Sequence, residues 1–248
     1  MKKLIYSLLT GVIAFCITSC MEIDNFDAPD AHLTCRLIDA TTGENFITDH
    51  IDSDVRIWEM SYSTDPSPQD IPVKSDATYN NTKLFAGTYN VLPYNGPYWP
   101  ADTAYNVQIG GGKVAVQDFT VTPYLKILEF KTDLVGDTLT MSCRLQAPLT
   151  GRAGIALPQV LEIRPFLSLT QYCGNANKID FYGNDYRINL RRTWEQLDAD
   201  GDGISDATYT IKVPVKEGYT YNVRMGANVN DTYQKFNYSE IVRIVVPD

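Results

Sequence analysis

The stretch Leu33-Thr34-Cys35-Arg36-Leu37-Ile38-Asp39-Ala40-Thr41-Thr42-Gly43-Glu44 indicates the fold class of this 248-residue chain. Apolar and polar side chains alternate from Leu33 to Leu37, which is the period of a β-strand with one buried face. Thr42-Gly43 then has the composition of a turn. The same succession of short strand and turn recurs along the chain, and helical periodicity is nearly absent. The sequence therefore predicts an all-β fold.

Clusters of Gly, Pro, Asn and Asp separate the other segments that we predict as strands. These segments are residues 32–39, 55–61, 87–92, 105–109, 114–121, 124–130, 138–145, 160–167, 207–215, 219–227 and 240–246. Prolines exclude segment 62–72 from a central strand and predict a surface loop or a sheet edge there. A strand ends near Thr122-Pro123 and a fresh set begins at Tyr124, which predicts a domain boundary. We expect two consecutive β-sandwich domains.

Residues 33–44 resemble the opening of carboxypeptidase regulatory-like domains, with Cys35 in place of the usual glycine. Residues 75–79 and 84–89 resemble the second block of that family. The resemblance implies a transthyretin-like β-sandwich at residues 31–122. For residues 123–248 we expect a C-terminal β-sandwich of the Ig or fibronectin-III type.

Residues 27–31, 85–89 and 121–125 together resemble a two-domain Bacteroidetes surface lipoprotein family of unknown function. Members of that family are encoded beside outer-membrane glycan-import systems of the starch-utilisation type. The resemblance implies polysaccharide and a glycan-import complex as partners. The family has no established catalytic residues, so the resemblance implies no enzymatic activity.

The N-terminus has the pattern of a lipoprotein signal peptide at residues 1–19. Two lysines precede an apolar run too short to span a membrane, and Ile17-Thr18-Ser19-Cys20 has the pattern of a lipobox. We predict that Cys20 is acylated, with palmitate among the attached chains, and that residues 20–30 form a tether. Acidic residues at 21–25 resemble a signal for export to the cell surface, although they also fit a solvated tether. The expected localisation is the outer membrane, lipid-anchored and facing outward.

Charge and motif content exclude some function classes. The formal net charge is −9, which argues against nucleic acid because phosphates demand a basic face. There are only two histidines, and no Gly-x-Ser-x-Gly motif occurs. We therefore expect no enzyme, although a glycoside hydrolase with unrecognised acids is an alternative because the separation of two carboxylates is a property of the fold.

An Asp-rich loop gives the sharpest local motif, Asp198-Ala199-Asp200-Gly201-Asp202-Gly203-Ile204-Ser205-Asp206. Carboxylates at alternate positions around a glycine match the ligand spacing of Ca²⁺ loops. We predict a structural Ca²⁺ site formed by Asp198, Asp200, Asp202, Asp206 and the carbonyl group of Ile204. Tyr209 stands where such loops often have a final acid, and a solvated acidic turn is the alternative.

An aromatic loop, Tyr94-Asn95-Gly96-Pro97-Tyr98-Trp99-Pro100, is a candidate for glycan contact. Aromatic faces stack on the C–H faces of sugar rings, and nearby amides bind hydroxyl groups. Tyr94, Tyr98, Trp99 and Trp194 are the predicted ligand-binding residues. Packing of Trp99 into the loop's own sandwich is the alternative, and Trp194 fits either a sheet cap or a sugar platform.

Three cysteines, Cys35, Cys143 and Cys173, remain after the predicted lipidation site. Cys35 and Cys143 lie in alternating apolar runs, so we expect buried structural thiols, and at most one disulfide can form among the three. The function predicted from the whole sequence is that of an accessory lipoprotein that binds glycan for a polysaccharide-uptake system. A structural or adhesin-like protein-interaction module is the alternative.

Overall fold

The computed structural model describes residues 28–110 and 112–248. The predicted signal peptide, Cys20 and most of the tether lie outside the described residues. Within the part of the chain that is described, no helix is long and apolar enough to cross a membrane.

The N-terminal domain consists of two four-stranded sheets. Its strands are β1 Ala31–Asp39, β2 Asp54–Glu59, β3 Gln69–Pro72, β4 Thr78–Leu84, β5 Gly87–Tyr94, β6 Ala104–Ile109, β7 Val114–Val116 and β8 Phe119–Val121. One sheet has the order β4-β1-β7, with β8 also pairing with β1, and the other has the order β3-β2-β5-β6. Leu33 on β1 and Val55 on β2 belong to one core that both sheets share.

The C-terminal domain is a second sandwich. Its strands are β9 Lys126–Val135, β10 Thr138–Gln146, β11 Gly151–Arg152, β12 Ile155–Ala156, β13 Val160–Ser168, β14 Ile188–Arg192, β15 Tyr209–Pro214, β16 Thr220–Val229, β17 Phe236–Tyr238 and β18 Val242–Val245. One sheet has the order β15-β10-β9, and the other has the order β14-β13-β16-β17 with β18 on β16. Met141 on β10 and Met225 on β16 are fully buried in the shared core. A short helix, α1 at Asp180–Asp185, lies between β13 and β14.

The predicted all-β fold with two sandwich domains is confirmed, and Cys35, Cys143 and Cys173 are buried free thiols. One predicted strand, 114–121, is interrupted. Arg36 explains the break, because its backbone N–H and its guanidinium both donate to the Asp118 carboxylate at 3.0 Å. The Asp118 side chain thus accepts the Arg36 N–H in place of a backbone carbonyl, and the segments on either side of it, β7 and β8, pair separately with β1.

Pairing rather than periodicity explains the strands that the sequence did not reveal. Strand β4 is mostly polar and lacks a regular buried face, and its extended conformation comes from antiparallel pairing with β1. Strands β14 and β17 likewise depend on β13 and β16. Strand β3 pairs only with β2, so the proline-rich segment ends in an edge strand, as the loop-or-edge prediction allows.

The two domains meet through charged groups that are buried. Arg224 on β16 faces away from the main core, and its guanidinium lies 3.7 Å from the carboxylate of Asp49 in the N-terminal domain. The hydroxyl of Tyr238 on β17 donates to Asp52, and Lys235 lies 3.8 Å from the same carboxylate. This set of residues, the junction cluster, joins the loop after β1 to the outer face of the β13–β16–β17 sheet.

Candidate functional site

The prediction that Tyr98 and Trp99 form an aromatic platform for a sugar is wrong. Tyr98 is 4% exposed and Trp99 is 2% exposed, so neither ring has a face for a sugar. The Tyr98 hydroxyl lies 2.7 Å from Ser53 Oγ in the N-terminal core, whereas the Trp99 ring packs 5.3 Å from Tyr124 in the C-terminal core. The loop folds back because the backbone N–H of Trp99 donates to the carbonyl of Thr122.

Trp194 is also buried, at 2% exposure, and its prediction as a sugar platform is wrong. Its indole N–H donates to Asp198 Oδ2 at 2.9 Å, so the ring supports the Asp-rich loop. Tyr94 is half-buried, with the Arg56 guanidinium 3.5 Å from its ring centroid and the Tyr233 ring packed edge-on at 5.3 Å. These contacts use part of the ring surface that a sugar would need.

The Asp-rich loop brings together part of the predicted ligand set. Carboxylate oxygens of Asp198, Asp200 and Asp206 lie within 4.8 Å of one another, which fits convergence on a single cation. Asp202 is outside this group, and its Oδ1 accepts the backbone N–H of Ile204 at 2.7 Å. The ladder bonds to β10 run through Gly203 and Ser205, so the Ile204 carbonyl takes no part in them.

Asp198 organises the loop from the inside. Its Oδ1 accepts the N–H groups of Gly201 and Asp202, and its Oδ2 accepts that of Gly203. Burial opposes ionisation of this carboxyl, but these bonds and the one from Trp194 together lower its pKa. The carboxylate is therefore charged at neutral pH, and a bound Ca²⁺ would share its oxygens with backbone donors. Asp200 and Asp206, which are exposed, would supply the remaining carboxylate oxygens.

A cleft at the domain junction was not predicted as a site. It has a volume of about 410 Å³, and a second hollow of about 420 Å³ shares Ser75, Asp76 and Tyr172 with it. Polar groups from both domains line the two hollows, which we call together the junction cleft; they include Asn45, His50, Lys74, Gln171, Asn177 and Glu240. Tyr172 is 47% exposed between them. Its position in a polar, strandless segment was the only signal in the sequence.

A more apolar hollow lies on the C-terminal domain near α1. Its volume is about 450 Å³, and Phe181 and Tyr219 border it with about half of each side chain exposed. Lys216 is its only charged lining residue. The junction cleft offers many more hydrogen-bonding groups, which sugar hydroxyls require, and it is the better candidate for a glycan.

Two family models match the chain in succession. The N-terminal domain model of a protein of unknown function, DUF3823, matches residues 31–122, and the DUF3823 C-terminal domain model matches residues 125–243. A search of curated proteins found no match to this chain.

Solved structures share this fold. A DUF3823 family protein from Bacteroides uniformis ATCC 8492 is 21% identical, with a TM-score of 0.71 over 88% of this chain and 100% of that chain. A protein of the same organism, described as a candidate carbohydrate binding protein, is 23% identical with a TM-score of 0.69 and the same coverage. A DUF3823 family protein from Parabacteroides merdae ATCC 43184 is 18% identical, with a TM-score of 0.61 over 88% and 100%. The chain belongs to the DUF3823 family, a two-domain family of unknown function.

Proposed function

We propose that this protein binds glycan in the junction cleft, and that it does so as an accessory protein of polysaccharide uptake and not as an enzyme. The observation that carries the proposal is the exposed side chain of Tyr172, which stands between two hollows whose hydrogen-bonding groups come from both domains. A tyrosine ring offers an apolar face for the C–H face of a sugar, and its hydroxyl group can form a hydrogen bond at the same time.

The lining groups support a sugar ligand because they supply both donors and acceptors. Asn45, Gln171 and Asn177 each have an amide that can donate to one hydroxyl and accept from another. Asp76 adds an acceptor next to Asn45, whose amide nitrogen donates to the Asp76 carbonyl, and Asp76 Oδ1 already accepts from Thr78. Further support comes from the relative in Bacteroides uniformis that is described as a candidate carbohydrate binding protein and has the same fold.

We also propose the lipid anchor at Cys20 and an outward-facing position on the outer membrane. An acylated N-terminus would hold the sandwich domains at the membrane surface, where a polysaccharide is first encountered. The acidic residues at 21–25 and the lipobox at 17–20 support this placement.

The binding proposal is tested by affinity electrophoresis of the purified protein in gels that contain single polysaccharides. We expect at least one polysaccharide to retard the wild-type protein and Tyr172→Ala to lose most of that retardation. Tyr105→Ala is the matched control, since Tyr105 is 70% exposed on β6 and lines none of the hollows described above. Equal retardation of the two variants would contradict a site at Tyr172. No retardation by any polysaccharide would favour the structural or adhesin-like alternative.

A further inference from the structure

A polar pocket on the outer face of the C-terminal domain is lined by residues that do not belong to the junction cluster. It has a volume of about 380 Å³ and is bordered by β13, β14, β16 and β17. Arg164, Arg187 and Arg191 line it together with a single acid, Glu162. Three guanidinium groups thus face one carboxylate in a chain whose overall charge is −9. We call this site the arginine pocket.

Glu162 neutralises only part of the positive charge. Its Oε1 lies 2.5 Å from Arg164 Nη2, and its Oε2 lies 3.3 Å from Arg187 Nη1. Arg191 is exposed, and its guanidinium makes no ion pair with any described residue. The pocket therefore retains an excess of positive charge that a bound anion would neutralise.

Two residues that line the pocket each have a buried polar atom with no hydrogen-bond partner among the described residues. One is the amide oxygen of Asn228, a residue that is 5% exposed, and the other is Arg164 Nε. The Asn228 amide nitrogen is already used by the carbonyl of Gln234. Buried polar groups in folded proteins nearly always have partners, so an acceptor and a donor left unpaired in the same pocket point to a ligand.

The pair defines what that ligand must offer. Arg164 Nε needs an acceptor and Asn228 Oδ1 needs a donor, while Arg187 and Arg191 favour a negative charge. A carboxylate or sulfate group supplies the acceptor oxygens, and a neighbouring hydroxyl group supplies the donor. The guanidinium of Arg164 is held for this role, because it lies 5.2 Å from the centroid of the buried Phe236 ring.

We propose that the arginine pocket binds the acidic group of a sugar, the carboxylate of a uronic acid or the sulfate of a sulfated sugar. The inference that the ligand is a sugar rests on the proposed glycan-binding function, whereas the inference that it has an anionic group rests on the pocket alone. Asn175 lines the arginine pocket and lies in the same connecting segment as Tyr172, so one loop borders both sites.

The test is calorimetric titration of the purified protein at low salt with two matched pairs of polymers. Oligogalacturonate is compared with its methyl ester, and dextran sulfate is compared with dextran, so that only one member of each pair has the acidic group. We expect one charged polymer to bind at least about tenfold more tightly than its uncharged partner, as charge-assisted hydrogen bonds are the strong ones. The pair that shows the difference identifies the carboxylate or the sulfate.

Variants link that preference to the pocket. Arg187→Gln with Arg191→Gln should lose about a factor of ten in affinity for the charged polymer. Arg243→Gln is the matched control, because Arg243 is exposed on β18 of the same sheet and lies outside the pocket. Equal binding of charged and uncharged partners would overturn the inference, as would equal losses in the double variant and in Arg243→Gln. Neutral glycan binding that depends on Tyr172 would then still support the proposed function, whereas no binding to these polymers or to any polysaccharide of the affinity gels would overturn both.

Discussion

The Arg224 guanidinium lies 3.7 Å from the Asp49 carboxylate, and the two side chains are 2% and 1% exposed. They come from different domains, so the pair joins the two sandwiches. Arg224 Nη1 also donates to the carbonyl of Thr48 at 3.1 Å, and Asp49 accepts the backbone N–H of Ala176 at 2.9 Å. The loop that carries Tyr172 is therefore held against the N-terminal domain, and the junction cleft depends on this contact.

Arg224→Met should destabilise the protein by about 3–5 kcal/mol, because it leaves the Asp49 carboxylate buried without its cation. Arg36→Met is the control, since Arg36 pairs with Asp118 at the surface, where solvent screening leaves an ion pair little effect on stability. Denaturant unfolding of both variants measures the difference. Similar losses in the two variants would mean that the buried pair does not hold the domains together.

Asp52 makes stability depend on pH in a defined direction. Burial raises its pKa to about 6 from an ordinary value of 3.8, the charge of Asp49 adds to the increase, and Tyr238, Lys235 and Arg224 oppose it. Between about pH 4 and pH 6 the folded protein holds a proton that the unfolded chain has released. The stability that this group contributes is thus present below about pH 4 and is lost as the pH rises through about 6.

We therefore expect the stability of the wild-type protein, relative to Asp52→Asn, to fall by on the order of 2 kcal/mol between pH 4 and pH 6. Asp65→Asn, in an exposed loop, should follow the wild-type profile. The measurement is the free energy of unfolding across that pH range. A constant difference between wild type and Asp52→Asn would show that Asp52 titrates normally.

Calcium should stabilise the C-terminal domain through the Asp-rich loop. We expect an affinity in the range of extracellular modules, roughly 10⁻⁴ to 10⁻³ M, and about 2.7 kcal/mol of stabilisation at a hundredfold excess. Melting curves with calcium and with chelator are compared for wild type, for Asp200→Asn with Asp206→Asn, and for the exposed control Glu217→Gln. Only the double variant should lose the calcium-dependent increase in melting temperature. Identical wild-type curves with calcium and with chelator would contradict a calcium site and mean that the loop is a solvated turn.

Cys20→Ala should move the protein from the membrane fraction to the soluble fraction, because it removes the predicted acylation site. Fractionation of cells that express each form measures this, and labelling of intact cells with antibody reports whether the wild-type protein faces outward. Membrane partition that does not change in Cys20→Ala would contradict the anchor.

The sequence predicted features whose causes are local. The alternation through Leu33 and Leu37 identified β1, and the spacing from Asp198 to Asp206 identified three carboxylates that converge. It could not assign Trp99, because its neighbour Tyr98 packs in the other core and only the fold decides which core each ring enters.

Features that depend on distant segments had no signal in the sequence. Asp49 and Arg224 are far apart in the chain and meet only when β16 faces the loop after β1. Tyr172 had no signal beyond its place in a polar, strandless segment, because the cleft around it is built from both domains. Arg164 on β13 and Asn228 on β16 come close because these two strands pair side by side. The residue pattern of either strand alone does not reveal that pairing.

Hydrogen–deuterium exchange of the full chain, with and without an oligosaccharide from the polysaccharide that retards it, tests glycan binding at the domain junction most directly. We expect slower exchange in segments 45–50, 74–76 and 171–177, which border the junction cleft, and unchanged exchange around Tyr105 on β6. Protection confined to other segments, or none at saturating oligosaccharide, would contradict a glycan site at the domain junction.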